Sequence, residues 1–174
     1  EDTFDRVPVR CIQYDWFIAN ISQSKSAIYD AIKRTIDILG ALILLIPALL
    51  LFPFIAAAIK LEDRGPLFYT TMRVGQYNKP ITIYKLRSKN GRDSSHSALK
   101  SELVDTKVGL FLRKTRIDEL PQLINVLKGD LSFIGPRPEI PTLAAVYASE
   151  VPYYNARHFL KPGLSGWAQI NNFD

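Results

Sequence analysis

The sequence predicts an α+β fold, mostly helical, with a small β-hairpin and a membrane-embedded, re-entrant helix broken by proline. Three observations lead there. Ile38 to Ile59 is an apolar run without a single charge, two short strand-like segments flank a turn-rich loop, and several short helical patterns follow residue 106. At 174 residues and 47% hydrophobic content, the chain can bury one core.

Residues 1–24 are mixed in character and bear Pro8, without a long helical period; they read as a leader or linker. Ser26 is expected to cap a short amphipathic helix through Ile36, with Ile28, Ile32 and Ile36 on one face and Lys25 and Lys33 near lipid headgroups. Asp37 can pair with Lys33 or Arg34 one turn earlier, but it is expected to be an interfacial charge at the helix start. The apolar run that follows would make a helix of roughly 33 Å, which reaches across a bilayer. Pro47 and Pro53 each delete a helical hydrogen bond and tend to bend it. Basic residues stand at both ends, Lys25, Lys33 and Arg34 before it and Lys60, Arg64, Arg73 and Lys79 after it. A single crossing places one basic flank on the wrong side, whereas a segment that enters, bends at proline and returns to the same face does not.

Gly65-Pro66 breaks the chain. Residues 67–74 and 81–87 read as two strands joined by the loop from Gly75 to Pro80, followed by a polar, mobile stretch from Arg87 to Ser97. A helix over 106–114 is expected to turn Val108, Phe111 and Leu112 inward. The next is expected to open at Asp118-Glu119, since Leu120, Leu123, Ile124 and Leu127 recur at helical spacing and Gly129 supplies a stop. Helices over 139–148 and 153–160, split by Pro152, lead into a glycine-bearing turn from Lys161 to Trp167.

A net charge of +5 points to an anionic partner. A membrane-anchored basic binding or scaffold domain without catalysis is the competing reading, but the chain lacks the interleaved aromatics and groove-reading motif of nucleic-acid-binding domains. The single cysteine, Cys11, excludes an intramolecular disulfide, and His96 and His158 have no further Cys or His near them to build a zinc site.

The chemistry concentrates between Thr115 and Glu139. Asp118 and Glu119 are neighbours, so on a helix they point about 100° apart and cannot flank one bond. They can divide labour, one as nucleophile or magnesium ligand, the other positioning a proton or supporting the metal. A capped helix with a first-turn acid would use the same pair. Arg113, Lys114, Arg116, Arg137, Arg157 and Lys161 outnumber what a cap requires, and Arg137 is stiffened between Pro136 and Pro138. An anionic ligand with magnesium completes such a site.

At these residues the sequence resembles the bacterial sugar transferases, the monotopic phosphoglycosyl transferases. The resemblance rests on Lys33-Arg34 with Asp37, the apolar segment, GPLFYTTMRVG (65–75), IYKLRS (83–88), TRIDELPQLINVLKGDLSFIGPRPE (115–139) and KPGLSGWAQI (161–170). It implies transfer of a sugar 1-phosphate from a nucleotide (UDP) sugar to polyprenyl phosphate. That step initiates surface polysaccharide or glycoconjugate synthesis at the cytoplasmic face of the bacterial inner membrane. By resemblance, Asp118 is the nucleophile that forms a covalent phosphosugar intermediate and a ligand of Mg2+, with Glu119 its acidic partner. Arg137 neutralises phosphate charge, and Lys85, Arg87, Arg116 and Arg157 are further phosphate-binding candidates. Partners would be the donor, the acceptor and membrane lipids, with no nucleic acid and homo-oligomerisation left open. The expected organisation is a leader (1–24), a membrane unit (25–64) and a cytosolic catalytic domain (65–174), shorter at its C-terminal end than in family members.

Overall fold

Nothing between Ile36 and Ile38 interrupts a helical hydrogen-bond ladder, and the computed structural model, which describes residues 27–62, 64–89, 104–166 and 169–170, carries one helix, α1, through Ala27–Glu62. The separate short helix expected to end at Ile36 is thus the first part of α1. The helical assignment also continues through Pro47 and Pro53, although neither proline can donate its backbone bond. The helix is long and apolar enough to cross a membrane, with most of its apolar surface exposed. The expected leader and most of the expected polar loop lie outside the described residues.

The chain divides into two compact units, one ending at Ile36 and the other starting at Asp37. In the first, Thr35 Oγ1 donates to Ala31 O at 2.9 Å, and Ile28, Ile32 and Ile36 are all exposed.

The second unit holds the remaining elements. β1 (Phe68–Val74) and β2 (Pro80–Leu86) form the antiparallel hairpin expected from their alternation, with Phe68 opposite Leu86 and Val74 opposite Pro80. Tyr77 and Asn78 adopt positive φ in the connecting turn. α2 (Lys107–Lys114) is doubly capped: Thr106 Oγ1 accepts from Gly109 N at 2.9 Å, and the Glu62 carboxylate accepts from Lys107 N and Val108 N. Leu112 is buried and Val108 packs beside it, but Phe111 is exposed, because the buried side of this short helix is set by the 108/112 spacing.

α3 (Gln122–Lys128) ends where expected, with Gly129 at φ 91° accepting the left-handed turn. β3 (Ser132–Ile134) pairs in parallel with β4 (Gly163–Ser165), inside the segment expected to be only a turn. α4 (Pro141–Glu150) and a 3-10 segment at Tyr154–Phe159 lie between them. One core cluster gathers Ala41, Ile83, Leu123, Val126 and Leu131; another gathers Ile59, Leu86 and Leu112. Asn125, fully buried, joins β2 to α3 by accepting from Tyr84 N and donating to Thr82 O. Asp37 is buried as well: its Oδ1 accepts from Ser132 Oγ and Phe133 N, each at 3.1 Å, so it anchors α1 to β3 instead of serving as an interfacial charge.

Candidate active site

The acidic pair is positioned by the apolar residues on either side of it. Ile117 packs into the cluster of Ile59, Leu86 and Leu112, while Leu120 packs against that of Leu123 and Val126. Pinned at both ends, Ile117–Glu119 forms a 3-10 turn. α3 begins only at Gln122, so the pair does not open an α-helix as its spacing suggested; Pro121 lies between. Arg116 enters the turn at φ 59°, a left-handed conformation uncommon for a residue of its size.

Asp118 is 7% exposed, and its Oδ1 has no hydrogen-bond partner among the described residues. Burial raises its pKa above the ordinary carboxylate value; Lys85 opposes this, Glu119 adds to it, and Arg113 and Arg116 oppose it further. Glu119 is engaged differently. Its Oε1 accepts from Lys85 Nζ at 2.7 Å and lies 3.8 Å from Arg116 Nη1.

Glu119 and Lys85 form part of the wall of a polar cavity that also includes Arg73, Gln122, Arg137, Pro138 and Gln169. Asp118 itself is not in that wall. Arg137 reaches the cavity because the chain from Gly135 to Pro138 is laced to β4: Gly135 N donates to Ser165 O, and Gly163 N to Pro136 O. Arg157 braces the same loop from behind. Its Nη2 donates to Arg137 O and its Nη1 to Tyr154 Oη, both at 2.8 Å, with the guanidinium over the Tyr154 ring. Arg87 lies elsewhere, donating from Nε to Lys89 O and packing over Gly65.

A model of the family described as bacterial sugar transferase matches residues 28–174, taking in every element of this site. The chain belongs to that family.

Among its relatives, the chain is 47% identical over 148 residues to the UDP-N-acetylgalactosamine-undecaprenyl-phosphate N-acetylgalactosaminephosphotransferase of Aeromonas hydrophila, covering 83% of the chain and 35% of that protein. It is 43% identical over 141 residues to the uncharacterized sugar transferase EpsL of Bacillus subtilis, covering 80% of the chain and 68% of that protein. With the UDP-glucose:undecaprenyl-phosphate glucose-1-phosphate transferase of Escherichia coli it shares 39% over 151 residues, 85% of the chain and 32% of that protein. The chain therefore spans about a third of the length of the Aeromonas and Escherichia proteins.

The residues that follow the acidic turn reach an apolar groove of about 190 Å³. Leu120, Pro121 and Ile124 line it together with Leu45, Leu49, Phe52 and Ile55 of α1 and Phe68 of β1, and Phe52 stacks on Phe68 at 5.7 Å. Glu119 thus lines the cationic cavity, and Leu120 and Pro121, next in the chain, line the greasy one.

Of the residues singled out from the sequence, Lys85, Glu119 and Arg137 come together at the polar cavity, with Asp118 next to the first two and Arg116 at its exposed edge. Arg157 supports Arg137 through its backbone. Arg73, Gln122 and Gln169 were missed. The signal for Arg73 was present in the hairpin: the register sets Arg73 opposite Ile81, Thr71 opposite Ile83 and Tyr69 opposite Lys85, placing Arg73 and Lys85 on one face.

Proposed function

We propose that this sugar transferase moves a sugar 1-phosphate from a UDP-sugar to a polyprenyl phosphate at the cytoplasmic membrane face, through a covalent intermediate on Asp118. The observation that carries the reading is the Asp118 carboxylate: buried, with an unpartnered oxygen, beside the Lys85–Glu119 pair, in a turn whose neighbours line a cationic cavity and an apolar groove. The names of the relatives supply the donor and acceptor classes.

In the first step an Asp118 oxygen attacks the β-phosphorus of the donor. A phosphorus–oxygen bond forms, the bond to the bridging oxygen breaks, and UMP leaves with that electron pair. In the second, a phosphate oxygen of the acceptor attacks the same phosphorus, giving the lipid diphosphosugar and regenerating the carboxylate. Two displacements let two bulky anions use one site in turn. Desolvation leaves the Asp118 oxygen poorly hydrated and more reactive, and Lys85 limits how far its proton affinity rises. Arg137 and Lys85 meet phosphate charge at the cavity, Glu119 fixes Lys85, and the groove receives the prenyl chain.

The two carboxylates also fit Mg2+. An ion held by Asp118 and Glu119 would have its shell completed by substrate phosphates. When bound, magnesium would neutralise diphosphate charge.

The deciding experiment incubates the chain in detergent with magnesium and radiolabelled UDP-sugars. The wild type acquires sugar phosphate on the protein and Asp118→Asn does not; undiminished turnover by that variant would overturn the assignment. For topology, we propose that α1 is re-entrant, so cysteines placed before Lys25 and after Lys60 are labelled from one face. Labelling from opposite faces would establish a spanning helix.

A further inference from the structure

Arg73 lines the polar cavity from the hairpin, outside the Thr115–Glu139 block, and its surroundings ask for a ligand. It projects from β1 on the face shared with Lys85 and lines the cavity with Arg137. The two arginines are held in adjacent backbone. Val74 N donates to Glu139 O at 2.9 Å, so the residue after Arg73 is bonded to the segment two residues beyond Arg137.

Each guanidinium has five N–H donors in a planar fork suited to phosphate oxygens. Among the described residues, neither side chain closes an ion pair or hydrogen bond. Arg73 is half-buried, and burial above all lowers its pKa; Glu139 attracts it, and Arg137 repels it. Two like charges facing one cavity, one of them partly desolvated, are an unfavourable arrangement for the empty fold. A ligand with negative charge spread over several oxygens reverses each of those terms by supplying acceptors for both forks.

We infer that Arg73 and Arg137 together hold the diphosphate of the nucleotide-sugar donor, with Arg73 a direct phosphate ligand contributed by the hairpin. The inference rests on the donor reading proposed above, and its test separates the two.

Binding of UDP and of uridine to the detergent-solubilised chain would be measured by ligand-observed NMR for the wild type, Arg73→Gln and Arg73→Lys. Arg73→Gln weakens UDP by about tenfold or more, as expected when a charge-assisted fork is lost, while uridine binding stays within about twofold. Arg73→Lys keeps the charge but not the fork and recovers only part of the affinity. Unchanged UDP binding in Arg73→Gln would overturn the role of Arg73 alone. Equal weakening of UDP and uridine would also overturn it, assigning Arg73 to the structure through Glu139. A wild type that binds no UDP removes the donor reading and this inference with it.

Discussion

Lys85 Nζ stands 2.7 Å from Glu119 Oε1, fastening β2 to the turn that carries Asp118. Both side chains are about four-fifths buried, at 24% and 19% exposure, so removing either partner leaves the other charge poorly solvated. Lys85 is also the strongest influence opposing the rise in Asp118's pKa. Replacing it with methionine keeps the stem and removes the charge. In Lys85→Met the acidic limb of protein labelling by saturating UDP-sugar should therefore move to higher pH, because Asp118 holds its proton longer. An unchanged limb would mean that Lys85 does not act on the nucleophile.

Asp118 should cost the fold stability. Its pKa is raised on folding, chiefly by burial, so the folded chain binds that proton more tightly than the unfolded chain. Stability is then lost as pH rises from the unfolded value of 3.8 through the folded one. Asp118→Asn carries no charge to desolvate. It should melt higher than the wild type by roughly 2 °C or more at about pH 7, and the advantage should vanish near pH 4. Melting curves at the two pH values check this, and a variant less stable at neutral pH would contradict the burial argument.

The parts of this architecture that could be read from the chain are local ones. The hairpin announces itself through alternation on both sides of a glycine- and proline-bearing loop, and Gly129 through the left-handed turn that ends α3. The β3–β4 pairing could not be read. Three residues at Ser132 and three at Gly163 have no period of their own, and two intervening elements separate them. The acidic pair was found by composition but misplaced, because helical spacing after Leu120 cannot show that Pro121 and Arg116 fold the preceding residues into a 3-10 turn. Arg73 stayed hidden because its importance depends on the loop from Gly135 to Pro138, which only the tertiary fold brings beside it.

Asp37 should matter for stability well before it matters for chemistry. It is 4% exposed, and its Oδ1 accepts from Ser132 Oγ and Phe133 N. Asp37→Ala strips both donors of that acceptor in a place water does not reach, which should cost about 2–3 kcal/mol. Asp37→Asn retains one carbonyl oxygen and should recover part of the loss. Chemical denaturation of both variants tests this; equal stability of Asp37→Ala and wild type would remove the anchor.

Gly163 tests whether the phosphate loop depends on the parallel strands. A Cβ there would overlap the backbone of Gly135, a contact no rotamer can relieve. In Gly163→Ala, β4 must therefore withdraw from β3, at a cost of about 1–3 kcal/mol. The bonds from Gly163 N to Pro136 O and from Gly135 N to Ser165 O go with it, and these are what hold Arg137 at the cavity. The acidic turn is pinned separately through Ile117 and Leu120. The expected result is a split: KM for the UDP-sugar rises about tenfold, while the pH limb set by Asp118 stays in place. A shifted limb with unchanged KM would show that β3 and β4 support the nucleophile and not the arginine.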